Sequence, residues 1–184
     1  MIGKLILVVG PSGAGKDSII RFAVGQLKND PRFVFPRRVI TRKADVANED
    51  HDTVDTETFL AMSKQGAFAL QWQAHDLYYG VPKHIDNDLA VGRNIIVNVS
   101  RTILAVVPTI YLNYMVVEIT ASPEILAGRI AMRDRASDGD VMKRATRKVA
   151  ALGSPRSHHV IRNETNLESA CEEFCALIKA HTQN

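Results

Sequence analysis

Gly10-Pro-Ser-Gly-Ala-Gly-Lys16 has the G-x-x-x-x-G-K spacing of a phosphate-binding loop. It directly follows the apolar run Lys4–Val9, which predicts a buried strand, and it opens a helical pattern that extends to about Lys28. The glycines let successive backbone N–H groups converge on phosphate oxygens, and the helix N-terminus adds the positive end of its dipole. Lys16 supplies the charge that reaches the β- and γ-phosphates of a nucleotide. The stretch therefore predicts an ATP-binding enzyme that transfers a phosphoryl group.

The residue that follows the lysine departs from the usual pattern. Ser or Thr normally occupies this position and binds Mg²⁺, whereas this chain has Asp17 and then Ser18. A carboxylate is an acceptable hard ligand for Mg²⁺, although it adds negative charge close to the triphosphate. We therefore expect ATP and Mg²⁺ as cofactors, with Asp17 or Ser18 as the metal ligand. The residues of this segment that are predicted to bind ATP are Gly10, Pro11, Ser12, Gly13, Ala14, Gly15, Lys16, Asp17 and Ser18.

The composition is that of an ordinary soluble domain. A length of 184 residues suits one compact domain, and 46% hydrophobic with 23% charged residues can form a substantial core. No stretch approaches the roughly 18 apolar residues that a membrane span needs, and the apolar N-terminal run is too short for a signal peptide. The formal net charge of +3 is too small to indicate nucleic acid binding. We therefore expect a cytoplasmic protein that binds neither a membrane nor a nucleic acid.

Charged residues are distributed unevenly along the chain. Residues 37–58 are mostly acidic, whereas residues 129–162 are rich in arginine. Clustered arginines in one segment of a small enzyme suggest a polyphosphate ligand, the alternative being a solvated helix face for some of them. The two cysteines, Cys171 and Cys175, are spaced i, i+4 on the last predicted helix, and we expect them to be buried core thiols.

Apolar runs alternate with helical patterns along the chain, which favours an α/β fold with a largely parallel sheet and flanking helices. Ser122 and Pro123 have the residue types of a helix N-cap and a first helical position. Strands are expected at Lys4–Val9, Ile95–Val99, Met115–Ile119 and His159–Arg162. Helices are expected at about 16–28, 123–133, 141–152 and 167–181, with a loop at 134–140.

Between the first helix and the second buried strand the pattern changes, and residues 33–79 contain short strand-like pieces and one short helix. That helix is predicted at Thr56–Gln65 and is ended by Gly66. We expect this segment to form an insertion with its own small sheet. The predicted organisation is a single domain, 1–184, with a core at 1–32 and 88–184 and an insertion at about 33–87.

Two motifs of the insertion, together with the loop, resemble the guanylate kinase branch of the nucleoside monophosphate kinases, and the resemblance covers nearly the whole chain. Ile40-Thr41-Arg42 resembles the family's Thr-Thr-Arg, whose arginine holds the acceptor phosphate. Tyr78-Tyr79-Gly80 resembles its Tyr-Gly element, whose tyrosine hydroxyl meets the same phosphate. The resemblance implies a P-loop nucleoside-monophosphate-kinase-like parallel sheet in which the insertion is a small acceptor-binding subdomain.

The arginine-rich segment resembles the lid of the same family. Arg129 to Arg133 and residues 143–145 match lid arginines that close over the donor triphosphate, which implies a lid at about 130–145. Val160–Asn163 resembles the strand and asparagine near the adenine, so Asn163 is also expected to bind ATP. The residues that the resemblance implies in catalysis are Lys16, Arg129, Arg133 and Arg144.

The departures from the guanylate kinase pattern lie at the acceptor site. Where guanylate kinases read the guanine with a glutamate and a Ser or Thr, this chain has Leu70 and Val81. Asp45 stands where they place a second arginine, and His51 replaces a phosphate-binding tyrosine. A site that hydrogen-bonds a base loses recognition when its polar groups become apolar. We therefore expect a site that still binds a phosphate and has lost guanine recognition.

These departures are similar to the pattern of the ribose 1,5-bisphosphate phosphokinases of bacterial phosphonate breakdown. The shared features are Gly15–Ser18, His51, Leu77–Val81 and Val97–Arg101. The resemblance implies phosphoryl transfer from ATP to ribose 1,5-bisphosphate, giving 5-phosphoribosyl 1-diphosphate. An oxygen of the sugar 1-phosphate is already ionised near neutral pH, so this reaction needs no catalytic base. The residues expected to bind the small phosphorylated sugar are Arg38, Arg42, His51, Tyr79, Asn98, Ser100 and Arg101.

Other interpretations stay open on the sequence alone. One is a guanylate kinase acting on GMP, against which the loss of the polar guanine readers argues. Another is a non-catalytic guanylate-kinase-like interaction module, which the intact loop disfavours. A kinase for a metabolite hydroxyl would need a general base, for which His51 or Asp50 is the candidate. The structural alternative for Arg38 is a surface position on a strand. Arg101 could instead cap the following helix or pair with an acid of the insertion. A monomer and a homodimer are both compatible with the sequence.

Overall fold

The computed structural model describes residues 2–42, 51–74, 76–132 and 157–182. Its strands are β1 Leu5–Val9, β2 Phe33–Val34, β3 Arg38–Ile40, β4 His51–Thr53, β5 Phe68–Ala74, β6 Leu77–Pro82, β7 Asn94–Asn98, β8 Tyr114–Thr120 and β9 His158–Arg162. Its α-helices are α1 Lys16–Leu27, α2 Thr56–Lys64, α3 Ile85–Ala90, α4 Val107–Ile110, α5 Pro123–Ala131 and α6 Leu167–Ala180. A 3₁₀ helix spans Arg101–Ala105.

The main sheet has five parallel strands in the order β2-β7-β1-β8-β9. The central strand, β1, is buried along its whole length. One apolar cluster lies between the sheet and helices α1 and α6, and a second lies between the other face and α3, α4 and the 3₁₀ helix. A central parallel strand is apolar on both faces because helices cover both, which explains the continuous apolar run that precedes the loop.

The order of the strands gathers the predicted site residues at one edge of the sheet. β1 lies between β7 and β8 and runs parallel to both, so their carboxyl ends meet at the same edge. Gly10 follows β1, Asn98 ends β7, and Ala121 follows β8. Ligands of open parallel α/β sheets bind outside the carboxyl ends of the strands. The phosphate loop therefore opens at the edge where this fold class binds ligands.

A second sheet, in the order β4-β3-β6-β5, lies within the segment for which the sequence predicted an insertion with its own sheet. β3 runs parallel to β4 and antiparallel to β6, and β5 and β6 form an antiparallel pair. The ring of Phe59 on α2 stacks on Phe68, with centroids 4.6 Å apart, and stabilises this part of the chain. Phe33–Val34 pairs instead with β7, so the second sheet begins after it.

The predicted elements agree with the described structure to within about two residues, which is the usual uncertainty of element boundaries. Ser122 caps α5 by accepting a hydrogen bond from the Ile125 N–H, and Pro123 is its first residue, as predicted. Both cysteines are buried thiols, also as predicted. The expected helix at 141–152, the loop at 134–140 and most of the expected lid lie outside the described residues, so the domain and lid boundaries stay predictions. No helix of the described residues is long and apolar enough to cross a membrane.

Candidate active site

The phosphate loop joins β1 to α1 and is shaped by backbone contacts. Its three glycines have positive φ angles, the conformation in which neighbouring N–H groups can converge on an anion. At Gly10, where φ is 147°, a side chain would overlap the backbone oxygen of Ile119 on β8. Lys16 Nζ donates hydrogen bonds to the backbone oxygens of Gly10, at 2.9 Å, and Pro11, at 2.8 Å. The lysine charge is therefore held against the loop that is predicted to receive the phosphates.

Asn163 supports the loop from the end of β9. Its side-chain amide donates a hydrogen bond of 2.9 Å to the backbone oxygen of Ala14, and its own N–H donates one of 2.8 Å to Thr120. Asn163 is 2% exposed, and a Cβ on Gly15 would lie only 2.5 Å from its amide nitrogen. Glycine at position 15 thus lets the loop lie against Asn163. The contact of Asn163 with ATP stays a prediction.

Asp17 connects the loop to the second sheet. It lies in the first turn of α1, and its side chain is 54% exposed. Its Oδ1 accepts a hydrogen bond of 2.8 Å from Asn98 Nδ2, at the end of β7. The same oxygen lies 3.9 Å from a guanidinium nitrogen of Arg38 on β3. The structure therefore brings together a predicted metal ligand and two predicted substrate-binding residues.

His51 is a buried imidazole among arginines. It is 5% exposed at the start of β4, where its backbone oxygen accepts a hydrogen bond of 3.0 Å from Arg37. Burial lowers the pKa of His51 below its ordinary value of 6.5. The charges of Arg42, Arg38 and Arg37 lower this pKa further. His51 is therefore neutral at pH 7, and the positive charge around it suits a bound anion.

Tyr79 lies opposite Ile40 where β6 pairs with β3. Ile40 precedes Arg42, the arginine predicted to bind a phosphate, by two residues. Its ring stacks on that of Trp72 on β5, with centroids 5.3 Å apart and an angle of 3° between the planes. Parallel stacking fixes the plane of the tyrosine and so the direction of its hydroxyl. Trp72 itself packs against the apolar cluster that contains Leu70 and Val81, and it orients Tyr79.

The two residues predicted to replace the guanine readers, Leu70 and Val81, are part of the hydrophobic core. Leu70 and Val81 are register partners on β5 and β6, two positions along the ladder from the Trp72–Tyr79 pair. Leu70 is 4% exposed and Val81 is fully buried. Both belong to the apolar cluster that also contains Ile103 of the 3₁₀ helix. The position predicted to match the guanine readers is therefore occupied by apolar side chains of the main sheet's cluster.

Ser100 and Arg101 have partners within the protein. Ser100 Oγ accepts hydrogen bonds from the N–H and the hydroxyl of Thr102, at 3.3 and 2.9 Å, and so caps the 3₁₀ helix. Arg101 lies 3.5 Å from the carboxylate of Glu118 on β8, and His158 lies 3.2 Å from the same group. Sequence reasoning missed Glu118, for which the one signal is a single acid inside an apolar strand. The contacts of Ser100 and Arg101 with a substrate stay predictions.

Arg129 is the one arginine assigned to catalysis that lies within the described residues. It stands in the last turn of α5, the helix that follows β8. Its Nη1 is buried, and among the described residues no acceptor lies within hydrogen-bond distance of it. A buried guanidinium nitrogen requires an acceptor, and a phosphate oxygen would provide one. Arg133 and Arg144 lie outside the described residues, so their roles stay predictions.

Comparison with known proteins relates the whole chain to one family of kinases. The family model described as guanylate kinase matches residues 2–181. A ribose 1,5-bisphosphate phosphokinase of Methylobacterium radiotolerans is 48% identical over 181 residues, which cover 98% of each chain. One from Rhodopseudomonas palustris is 46% identical over 164 residues, covering 85% of this chain and 84% of that protein.

A solved structure agrees with the architecture. The crystal structure of guanylate kinase from Anaplasma phagocytophilum has a TM-score of 0.72 and 18% identity, and the match covers 100% of this chain and 88% of that one. At this identity the likeness establishes the fold alone, and it confirms the P-loop, nucleoside-monophosphate-kinase-like α/β fold that the sequence predicted. The chain belongs to the ribose 1,5-bisphosphate phosphokinase family, within the guanylate-kinase-like P-loop kinases.

Proposed function

We propose that this enzyme transfers the terminal phosphoryl group of ATP to ribose 1,5-bisphosphate, giving ADP and 5-phosphoribosyl 1-diphosphate in phosphonate degradation. The relatives that cover nearly the whole chain are named for phosphorylation of this sugar. The loop with Lys16 is the donor site, and the arginine-lined face of the second sheet is the acceptor site. The proposed enzyme is cytoplasmic and acts as a monomer or a homodimer.

The observation that carries the proposal is the packing of Leu70 and Val81. Both side chains lie in the core, and the resemblance to guanylate kinases matches them to residues that read the base. A purine placed there would have to displace packed apolar atoms and would find no hydrogen-bonding side chain at these two positions. The second sheet, to which both residues belong, also carries positive charge around His51 on β4. A phosphorylated acceptor without a base fits this combination better than GMP does.

In the proposed reaction, an oxygen of the 1-phosphate attacks the γ-phosphorus of ATP while the bond from that phosphorus to the β,γ-bridging oxygen breaks. The attacking oxygen is ionised near pH 7, so no side chain has to remove a proton from it. Catalysis then depends on the alignment of the two substrates and on the stabilisation of charge at the transferring group. We assign this stabilisation to Lys16, Arg129, Arg133 and Arg144.

Arginines and hydroxyls of the second sheet would hold the acceptor. Arg42, His51 and Tyr79 are assigned to one phosphate, with the plane of Tyr79 fixed by its stacking on Trp72. A phosphate dianion beside His51 would favour the protonated imidazole, which then donates hydrogen bonds from both nitrogens. The second phosphate and the sugar hydroxyls are assigned to Arg38, Asn98, Ser100 and Arg101.

The loop also has a donor set that fits Mg²⁺. This ion prefers oxygen ligands and usually takes only one or two from the protein, the rest coming from water and nucleotide phosphates. Asp17 and Ser18 offer such oxygens at the start of α1, and the described ranges contain no larger cluster of acidic, histidine or cysteine ligands. When bound, Mg²⁺ would neutralise charge on the β- and γ-phosphates.

Phosphorus NMR of the reaction mixture tests the proposal directly. With ATP, Mg²⁺ and ribose 1,5-bisphosphate, we expect the 1-phosphate signal to be replaced by two coupled signals of a diphosphate bonded to the sugar. A new phosphate monoester signal would instead indicate transfer to a hydroxyl group. Consumption of ATP with GMP and not with the sugar bisphosphate would contradict the proposal and favour a guanylate kinase. No transfer to either acceptor would favour a non-catalytic module.

A further inference from the structure

Asp17 occupies the position of a Ser or Thr that normally binds the metal of the ATP site. Its contacts, however, are with Asn98 and Arg38, two residues assigned to the acceptor. A Ser or Thr at this position carries one short hydroxyl, which serves the metal. The carboxylate is longer, and its Oδ1 receives the 2.8 Å hydrogen bond from Asn98 and lies 3.9 Å from Arg38. These partners come from β7 and from β3, in different sheets. One carboxylate oxygen thus joins the start of α1, the main sheet and the second sheet.

We propose that Asp17 is a positioning residue for the acceptor: it orients Asn98 and Arg38 toward the sugar bisphosphate. This inference rests on the proposed function. The amide of Asn98 donates to Asp17, so its carbonyl oxygen is turned the opposite way and can accept from a sugar hydroxyl. Arg38 carries a permanent positive charge, which attracts a phosphate of the substrate as well as the carboxylate of Asp17.

The exposure of the two charged side chains differs. The side chain of Arg38 is 19% exposed, whereas that of Asp17 is 54% exposed. The guanidinium is therefore the more enclosed of the two groups. A long, flexible arginine loses much rotamer entropy when it is held in one place. If a neighbouring carboxylate already holds it before the ligand binds, less of this entropy is lost on binding, and the affinity is higher. Asp17 in this way prepares Arg38 before the acceptor arrives.

Simple electrostatics predicts the opposite effect, which makes the inference testable. A carboxylate close to an anion-binding site repels a sugar bisphosphate, so its removal alone would strengthen binding. If Asp17 orients Asn98 and Arg38, its removal weakens binding instead. If Asp17 acts only as a ligand of Mg²⁺, its removal has no weakening effect on acceptor binding when metal and ATP are absent.

The test is calorimetric titration of ribose 1,5-bisphosphate into the whole protein, with EDTA and without ATP. We expect Asp17→Ala to weaken binding by about tenfold or more, as for loss of a hydrogen bond to a charged group. Asn98→Ala should weaken it less, and the double variant should bind no more weakly than Asp17→Ala, because the two residues act as one unit. Asp17→Asn keeps an oxygen that accepts from Asn98 and should recover part of the loss.

Asp30→Ala is the matched control, since it also removes a carboxylate that pairs with an arginine, Arg32, on an exposed turn. It should leave acceptor binding unchanged, and circular dichroism should show that every variant is folded. Unchanged or tighter binding by Asp17→Ala overturns the inference and leaves the proposed function intact. No binding of the sugar bisphosphate by the unsubstituted protein contradicts the proposed function itself, and this inference with it.

Discussion

The phosphate loop and the acceptor side of the cleft are built from different groups. Backbone atoms shape the loop: Lys16 and Asn163 bind its carbonyl oxygens, and Gly10 lies against the backbone of β8. Side chains shape the acceptor side, where arginines surround His51 and where Leu70 packs into the core. Substitution of a side chain that does not contact the loop leaves its backbone groups largely unchanged, whereas substitutions on the acceptor side can change which ligand is bound. This difference explains how one fold can keep its donor and change its acceptor.

The largest expected effect is on the donor side. Lys16→Ala removes the only charge that the loop sequence supplies to the transferring phosphate, so kcat/KM should fall by about 10³-fold. Steady-state kinetics with ATP and the sugar bisphosphate measures this change. Lys28→Ala, at the other end of the same helix, is the control and should keep full activity. Equal losses in both variants would mean that helix stability, and not phosphate binding, is what the lysine provides.

The next largest expected effect is a loss of stability at Leu70, which tests whether this side chain is part of the hydrophobic core. Leu70→Glu places a carboxylate among apolar side chains, and we expect it to lower the free energy of unfolding by about 3 kcal/mol or more. Urea unfolding measures the loss. Gln73→Glu, at an exposed position of the same strand, should change stability by less than about 0.5 kcal/mol. A stable Leu70→Glu protein that gains activity on GMP would show that a base pocket survives, contrary to this account.

A glycine pair tests the backbone construction of the loop. Ala at Gly10 would have to tolerate a φ of 147° and an overlap with the Ile119 oxygen, so Gly10→Ala should cost about 2 kcal/mol or more. Gly25 lies in α1 with no atom near its Cβ position, and Gly25→Ala should stabilise by about 1 kcal/mol. Thermal unfolding compares the two. Equal effects of the same sign would contradict the proposed construction of the loop.

The smallest expected effect is a pH dependence on the acceptor side. Because the pKa of His51 is lower in the folded protein than its ordinary 6.5, the unfolded chain binds its proton more readily. Its contribution to stability is therefore complete above pH 6.5 and is lost as the pH falls toward the folded value. His51→Gln should flatten this part of the stability profile, measured by urea unfolding between pH 5 and 8. His84→Gln, at an exposed position, should leave the profile unchanged, and a change equal to that of His51→Gln would refute the assignment.

Local sequence predicted the strand and helix around the phosphate loop well because their signals lie close together along the chain. The loop spacing, the apolar strand before it and the Ser122–Pro123 helix start each depend on neighbouring residues. The acceptor contacts could not be predicted in this way. The bond between Asp17 and Asn98 joins residues 81 positions apart, and the pairing of Glu118 with Arg101 depends on the order of strands in the sheet. Such contacts follow from tertiary packing and leave no periodic pattern in the sequence.

The loss of guanine recognition was inferred in a different way, from departures from a family pattern. Leu70 and Val81 were conspicuous because polar residues were expected in their places. The structure adds that both side chains pack into the core, which the sequence alone did not predict. Roles assigned to Arg133 and Arg144 depend on the resemblance alone, because these arginines lie outside the described residues.

The most direct test of the central claim is a coupled ADP-release assay that compares two acceptors at matched ATP and Mg²⁺. We expect strong turnover with ribose 1,5-bisphosphate and a kcat/KM for GMP that is lower by about 10³-fold or more, because no side chain at positions 70 and 81 can bind the base. Equal or greater turnover with GMP would contradict the claim. The guanine would then be read by residues other than these two, and the enzyme would be a guanylate kinase.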